Sequence, residues 1–367
     1  MAIPRKGQVA FALVTAFVVA VVLGVTRLAP VAKAAQGATS IVYATGLESP
    51  RGLRFGPDGD LYVAEAGLGG TMSTTPADCQ QVPAPVGPYT GGFTARISRI
   101  DSTGVRTDVV TGLPSSQSSP ANGGSAGGVA DVDFIGGTMY ALLSGGGCSH
   151  GLLNTVNGII RVGGGSWELV ADLSAWQMAH PVAHPEPDDF EPDGTWYSMV
   201  AVRDSLYAVD PNHGDIVRVS EDGAITRVVD VSATQGHIVP TAITYRGNFF
   251  VGNLSTFPIQ PGASEIFKLT PSGHLKEWAA GLNTVLGVRF DERGRLYAIE
   301  NTVGAPFPTP GLGRLVRIDP SGRQTVLLEG LNFPTGMTFG PDGKLYVSEW
   351  GFGPPLGRVL QVTLPAD

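Results

Sequence analysis

Apolar and polar residues alternate in short runs along most of the chain, and the runs come in pairs joined by a tight polar turn. Residues 46–67 read GLESPRGLRFGPDGDLYVAEAG, and residues 330–351 read GLNFPTGMTFGPDGKLYVSEWG. Between them lie GLNTVLGVRFDERGRLYAIENT at 281–302 and weaker copies at 130–146, 198–212 and 241–255. Period-two alternation broken by Gly or Asp is the pattern of a β-hairpin. A second hairpin follows each of the first five, as in DIVRVSEDGAITRVVDV and GRLVRIDPSGRQTVLLEGL. Four strands per unit and six units predict an all-β, six-bladed β-propeller.

The termini predict how the ring closes. The last unit has GRVLQVTL (357–364) as its third strand, and the chain then ends without a fourth. SIVYATGL (40–47) matches the outer strands VRTDVVTGL and RQTVLLEGL, so the N-terminal strand completes the last blade. Spacings of 43, 47 and 49 residues separate Tyr207, Phe250, Tyr297 and Tyr346, close to a bare blade, whereas 78 and 67 separate Tyr62, Tyr140 and Tyr207. The first two blades therefore carry insertions. With strands A to D in each blade, the A–B and C–D turns are minimal. The long segments 67–93, 114–127, 144–157, 174–193, 254–263, 302–312 and 351–356 all join B to C or D to the next A. They fall on one face, and loops held by a rigid scaffold are where function concentrates.

Composition agrees with a turn-rich globular chain. Gly and Pro supply 79 of 367 residues, while 43% of residues are hydrophobic, enough for a core and too many for a disordered chain. Arg5 and Lys6 precede an uncharged run from Val9 to Val25, and Ala32-Lys33-Ala34 offers a cleavage signal. Residues 1–34 read as a secretory signal peptide and 35–367 as the propeller. An uncleaved anchor with the propeller facing outward is the alternative. Without the leader the net charge is −12 rather than −8, which disfavours nucleic acid and anionic lipid as partners. No other segment is apolar enough to span a membrane. A secreted or extracytoplasmic monomer is expected. Cys79 and Cys148, an even count in an oxidising compartment, predict one disulfide, with two free thiols as the alternative.

Candidate chemistry gathers on the loop-rich face. The second strands end in Glu65, Asp210, Asn253, Glu300 and Glu349, with Ser144 in blade two. A ring of oxygen ligands at a channel mouth can hold Ca²⁺ or Mg²⁺. Alternatively, such residues accept backbone N–H groups, a need repeated in every blade. Arg51, at the start of the first inner strand, faces an anionic ligand or pairs with a ring carboxylate. Asp131 and Asp133 are placed near the same mouth. His237, in the loop leading into blade four, is the candidate general base. His180 and His184, with Glu186, Asp188 and Asp189, have a metal-site composition, but Pro181, Pro185 and Pro187 forbid the helix that would align the imidazoles. A solvated loop is the expected form. No GxSxG, HExxH or GxxxxGK[ST] motif is present.

The repeat resembles NHL and regucalcin-like propellers. More specifically, the segments GLESPRGLRFGPDGDLYVAEAGLGG, GDIVRVSEDG and VPTAITYRGNFFVGNLSTFPIQPGASEIFKLTPSG (239–273) resemble the ScyD/ScyE family of exported bacterial propellers. Where that family has Asn-Pro-Tyr, this chain has Thr195-Trp196-Tyr197, which keeps Tyr197 as a binding candidate and loses the Asn. The resemblance implies fold and export and carries no defined reaction. Two functions are expected, the first from the loop-built face and the lack of a catalytic motif. One is a non-catalytic protein binding a small molecule, glycan or protein on the loop-rich face. The other, by likeness to regucalcin-like gluconolactonases and virginiamycin B lyase, is a lactonase or lyase with a divalent cation at the channel mouth.

Overall fold

The computed structural model describes residues 37–365, so the leader at 1–34 lies outside the described residues. The described chain forms six sheets arranged as six blades. Blade one comprises Pro50–Phe55, Leu61–Glu65, Thr90–Ile100 and Arg106–Gln117, edged by the short Ala126–Gly127. Blade two runs from Val129–Ile135 to Ser166–Asp172, blade three from Ser198–Val202 to Ile225–Asp230, and blade four from Pro240–Arg246 to Leu275–Leu282. Blade five runs from Val285–Phe290 to Gln324–Leu331. Blade six contains Gly336–Phe339, Leu345–Glu349 and Gly357–Thr363, and Thr39–Leu47 from the other end of the chain is its outer strand. Thr39 pairs with Thr363 and Leu47 with Gly357, antiparallel. The ring is thus closed by hydrogen bonds between its two ends, which meet within one blade.

The core is divided among the blade interfaces. Six clusters of buried apolar side chains lie one between each neighbouring pair of blades. Ala64, Ile97 and Leu113 meet Val132 and Ile160 between blades one and two. Leu47 and Val359 meet Leu53 and Val63 across the seam. Each fully buried Leu, Ile or Val stabilises by about 1.5–3 kcal/mol relative to exposure, so every interface contributes to holding the ring. The repeated tyrosines join this packing and anchor the turns. In the GPDG turns, the Tyr62 hydroxyl donates to Asp58 at 2.8 Å and the Tyr346 hydroxyl to Asp342 at 3.1 Å.

The insertions are more ordered than the sequence pattern predicts. The third and fourth strands of blade one extend to a Thr90–Gln117 pair, so part of 67–93 and 114–127 is a raised hairpin rather than loop. Glycine permits this extension. A Cβ on Gly92 would lie 2.7 Å from the Gly69 carbonyl, and one on Gly70 would lie 2.3 Å from the Gly91 carbonyl. Segment 174–193 opens with a helix, Leu173–Ala179, capped by the Asp172 carboxylate accepting the Ala175 N–H at 2.8 Å. Among the described residues no helix is long and apolar enough to cross a membrane.

Candidate functional site

The polar residues ending the second strands are each engaged within their own blade. Glu300, fully buried, accepts the Asn283 backbone N–H at 2.6 Å, its side-chain amide at 3.0 Å and the Arg314 guanidinium. Glu349 accepts the Asn332 N–H at 2.6 Å and Arg358 at 2.7 Å. Glu65 accepts the Glu48 N–H, the Ser98 hydroxyl and Arg96, the last at 2.9 Å. The geometry repeats: the carboxylate clasps the connection leading into the inner strand and an arginine on the third strand. Asn253 does the same without charge, donating to the Ile238 carbonyl and accepting the Glu265 N–H. Asp210 accepts the N–H groups of Thr195, Asn212 and His213 and contacts the His213 ring at 3.3 Å. Burial pushes Asp210 up and His213 down, but their contact outweighs it, leaving Asp210 lowered and His213 raised.

These residues therefore do not fit a shared divalent cation. Their oxygen lone pairs already meet N–H donors, and three of the four carboxylates carry an arginine. Among the described residues no three His, Cys, Asp or Glu side chains are grouped so that they could hold a metal ion. The convergent ligand ring expected from the repeat is replaced by separate intrablade clasps. The group at 180–189 is dispersed as well. His180 stacks on Trp176 with ring centroids 4.7 Å apart, while the backbone N–H of His184 donates to Ser232.

Arg51 occupies the channel mouth without a carboxylate. It donates to the Ala126 carbonyl, and its guanidinium lies 5.9 Å from the Tyr197 ring centroid and 5.6 Å from that of Phe352. Tyr197 belongs to blade three and Phe352 to blade six, on opposite sides of the ring. The Tyr197 hydroxyl donates at 3.2 Å to the Thr335 carbonyl of blade six, so this side chain spans the axis. Burial holds the Tyr197 phenol up at about 12, partly offset by Arg51, and it remains a neutral donor. The expected ion pair of Arg51 with a ring carboxylate does not form, because those carboxylates already hold Arg96, Arg314 and Arg358.

Beneath this mouth the channel is narrow. The cavity lined by Gly52, Asp131, Tyr197, Arg289 and Gly336 has a volume of about 20 Å³ for water centres, enough for a water molecule and too small for a sugar. Asp131 lines it and accepts the Met199 N–H of blade three at 2.8 Å. Burial raises the Asp131 carboxyl to about 6. Asp133 lies deeper than expected, paired with Arg54 and accepting the Ala201 N–H at 2.8 Å. These aspartates satisfy N–H groups on the inner edge of the next blade, a role the sequence pattern does not reveal.

Above the mouth stands a loop-built bowl. The Cys79–Cys148 disulfide forms and joins the insertions of blades one and two across 69 residues. Behind it, Glu191 receives the Tyr89 hydroxyl at 3.0 Å, His150 at 2.9 Å and the Thr195 hydroxyl. Burial lowers His150, but Glu191 outweighs it and the imidazole is raised. This network was not visible in the sequence, where 41 and 102 residues separate its members. His237, in the connection from blade three to blade four, has its Nε2 4.0 Å from Asp189.

Fold and site together define a six-bladed propeller whose long insertions gather on one face, around the mouth of a narrow channel. Residues 191–349 match the family described as SMP-30/Gluconolactonase/LRE-like region, a stretch from just before blade three into blade six. The chain is similar in fold to a gluconolactonase from Xanthomonas campestris, at 12% identity and TM-score 0.54, covering 90% of this chain and 92% of that one. It is also similar to a glucose dehydrogenase, at 14% identity and TM-score 0.56, covering 89% and 99%. A luciferin-regenerating enzyme matches at 10% identity and TM-score 0.54, covering 89% and 95%. No curated protein matches the sequence.

Proposed function

We propose that this is an exported ScyD/ScyE-like propeller that binds a small molecule, glycan or protein partner in its bowl and does not transform it. The observation that carries the reading is the state of the mouth. Three of the carboxylates that would do chemistry there are locked into arginine clasps and Asp210 is held by His213, while Arg51 has no acid partner among the described residues. The family resemblance, the leader sequence and the disulfide support export. The family match at 191–349 favours a second reading, a lactonase, in which His237 beside Asp189 is the candidate base. That reading requires the clasped carboxylates to leave their arginines.

The test is ligand fate. Carboxylates, neutral glycans and lactones are incubated with the purified mature protein, and bound and free compound are recovered and identified by mass spectrometry. Retention of unchanged compound, lost when bowl residues are altered, is expected. Catalytic conversion of a lactone would overturn the binding reading and favour the second.

A further inference from the structure

We infer that the bowl takes a monoanionic planar carboxylate, an arene carboxylate in the simplest case, at Arg51; the inference rests on the binding reading above and names its ligand class. The first ground is charge. Outside the leader the chain carries a net charge of −12, yet the Arg51 guanidinium has no carboxylate within ion-pair distance among the described residues. The nearby acids already have cationic or donor partners: Glu191 meets His150 and Tyr89, and Asp189 faces His237. The carboxylates that end the second strands of blades one and six hold Arg96 and Arg358. Arg51 thus keeps donors for an incoming anion, beyond those directed at the Ala126 carbonyl and the Tyr197 hydroxyl.

The second ground is shape. A guanidinium is a planar fork that matches a carboxylate with two parallel N–H bonds. Its neighbours here are aromatic: Tyr197 on one side and Phe352 on the other. Phe352 in turn packs on Phe333, centroids 4.8 Å apart, and Phe333 on Trp350 at 5.6 Å. A ligand reaching Arg51 therefore lays its body against rings, which favours a flat apolar group behind the anionic head. A dianion such as phosphate has no flat apolar body to lay against these rings and meets the surrounding negative field. The Tyr197–Thr335 bond and the small cavity below stop the ligand at the mouth rather than in the channel.

Isothermal titration of the mature protein with benzoate, benzamide, gluconate and inorganic phosphate tests this. Benzoate is expected to bind, benzamide and phosphate not, and gluconate about tenfold more weakly for want of ring contact. Arg51→Gln is expected to abolish benzoate binding with little change in Tm. Phe352→Ala is expected to weaken benzoate about tenfold and leave gluconate unaltered. If Arg51→Gln does not fold, Arg51→Lys, which keeps charge and loses the fork, is expected to weaken benzoate and serves the same purpose. Benzoate binding that survives loss of the guanidinium overturns the inference. So does wild-type protein that ignores benzoate but retains a neutral glycan in the ligand-fate test, a result that leaves the binding reading standing. Failure with every ligand class overturns both.

Discussion

Replacing Glu300 by Gln distinguishes a structural clasp from a cation ligand. The carboxylate is fully buried, and Arg314, its partner, has a side chain 20% exposed. Removing one member of a buried ion pair typically costs about 3–5 kcal/mol. Here the amide oxygen still accepts the Asn283 N–H, and water can reach Arg314, so a loss of about 2–3 kcal/mol is expected. A domain of about 330 residues has an unfolding entropy near 0.7 kcal/mol/K, which turns that loss into a Tm drop of about 3–4 °C. Thermal unfolding followed by circular dichroism, in EDTA and again in excess Ca²⁺, reads the effect. The clasp predicts the same drop in both. A cation ligand predicts the reverse in EDTA, where removing a charge from a ring of carboxylates relieves repulsion. A variant as stable as wild type in EDTA, and weaker only in Ca²⁺, would refute the reasoning.

Three further outcomes follow from the geometry. Asp131 and Asp215 are both raised to about 6, chiefly by burial, so the folded state holds their protons more tightly than the unfolded one. Stability then falls as pH rises from about 4 to about 6. His150 and His213, raised on folding, add stability that is lost as pH rises through their folded values. Tm is expected to be higher at about pH 5 than at about pH 8, with Asp131→Asn flattening the slope; a rise over that interval would contradict the assignment. Replacing Cys79 and Cys148 together by Ser opens a link across 69 residues and is expected to cost up to about 4 kcal/mol, read by denaturant titration against wild type in the absence of reductant. Gly52→Ala would place a Cβ 1.9 Å from an Asp131 oxygen. The strain is expected to cost about 1–3 kcal/mol, and Asp131→Gly in the same chain should recover part of it.

The architecture was legible because a blade writes itself locally. Period-two alternation and the GPDG turns mark each hairpin, and the missing fourth strand of blade six points to Thr39–Leu47. The location of the insertions followed from strand order alone. The chemistry of the mouth was less legible, because it depends on which of several equivalent partners a side chain meets. The repeat placed Glu65, Glu300 and Glu349 at matching positions. It did not show that Arg96, Arg314 and Arg358, also at matching positions on the third strands, would hold them. That pairing in turn left Arg51 free of acids, against the expectation of an ion pair. Phe352 and the Tyr89–Glu191–His150 network sit on loops without periodicity, where sequence distance says little about contact.

The most direct measurement is turnover of gluconolactone by the purified propeller, residues 35–367, with and without added Ca²⁺, Mg²⁺ or Zn²⁺, compared with buffer at the same pH. A bowl that binds without transforming predicts a hydrolysis rate equal to buffer under every condition. Metal-dependent turnover that disappears in Glu300→Gln while the variant remains folded would contradict it.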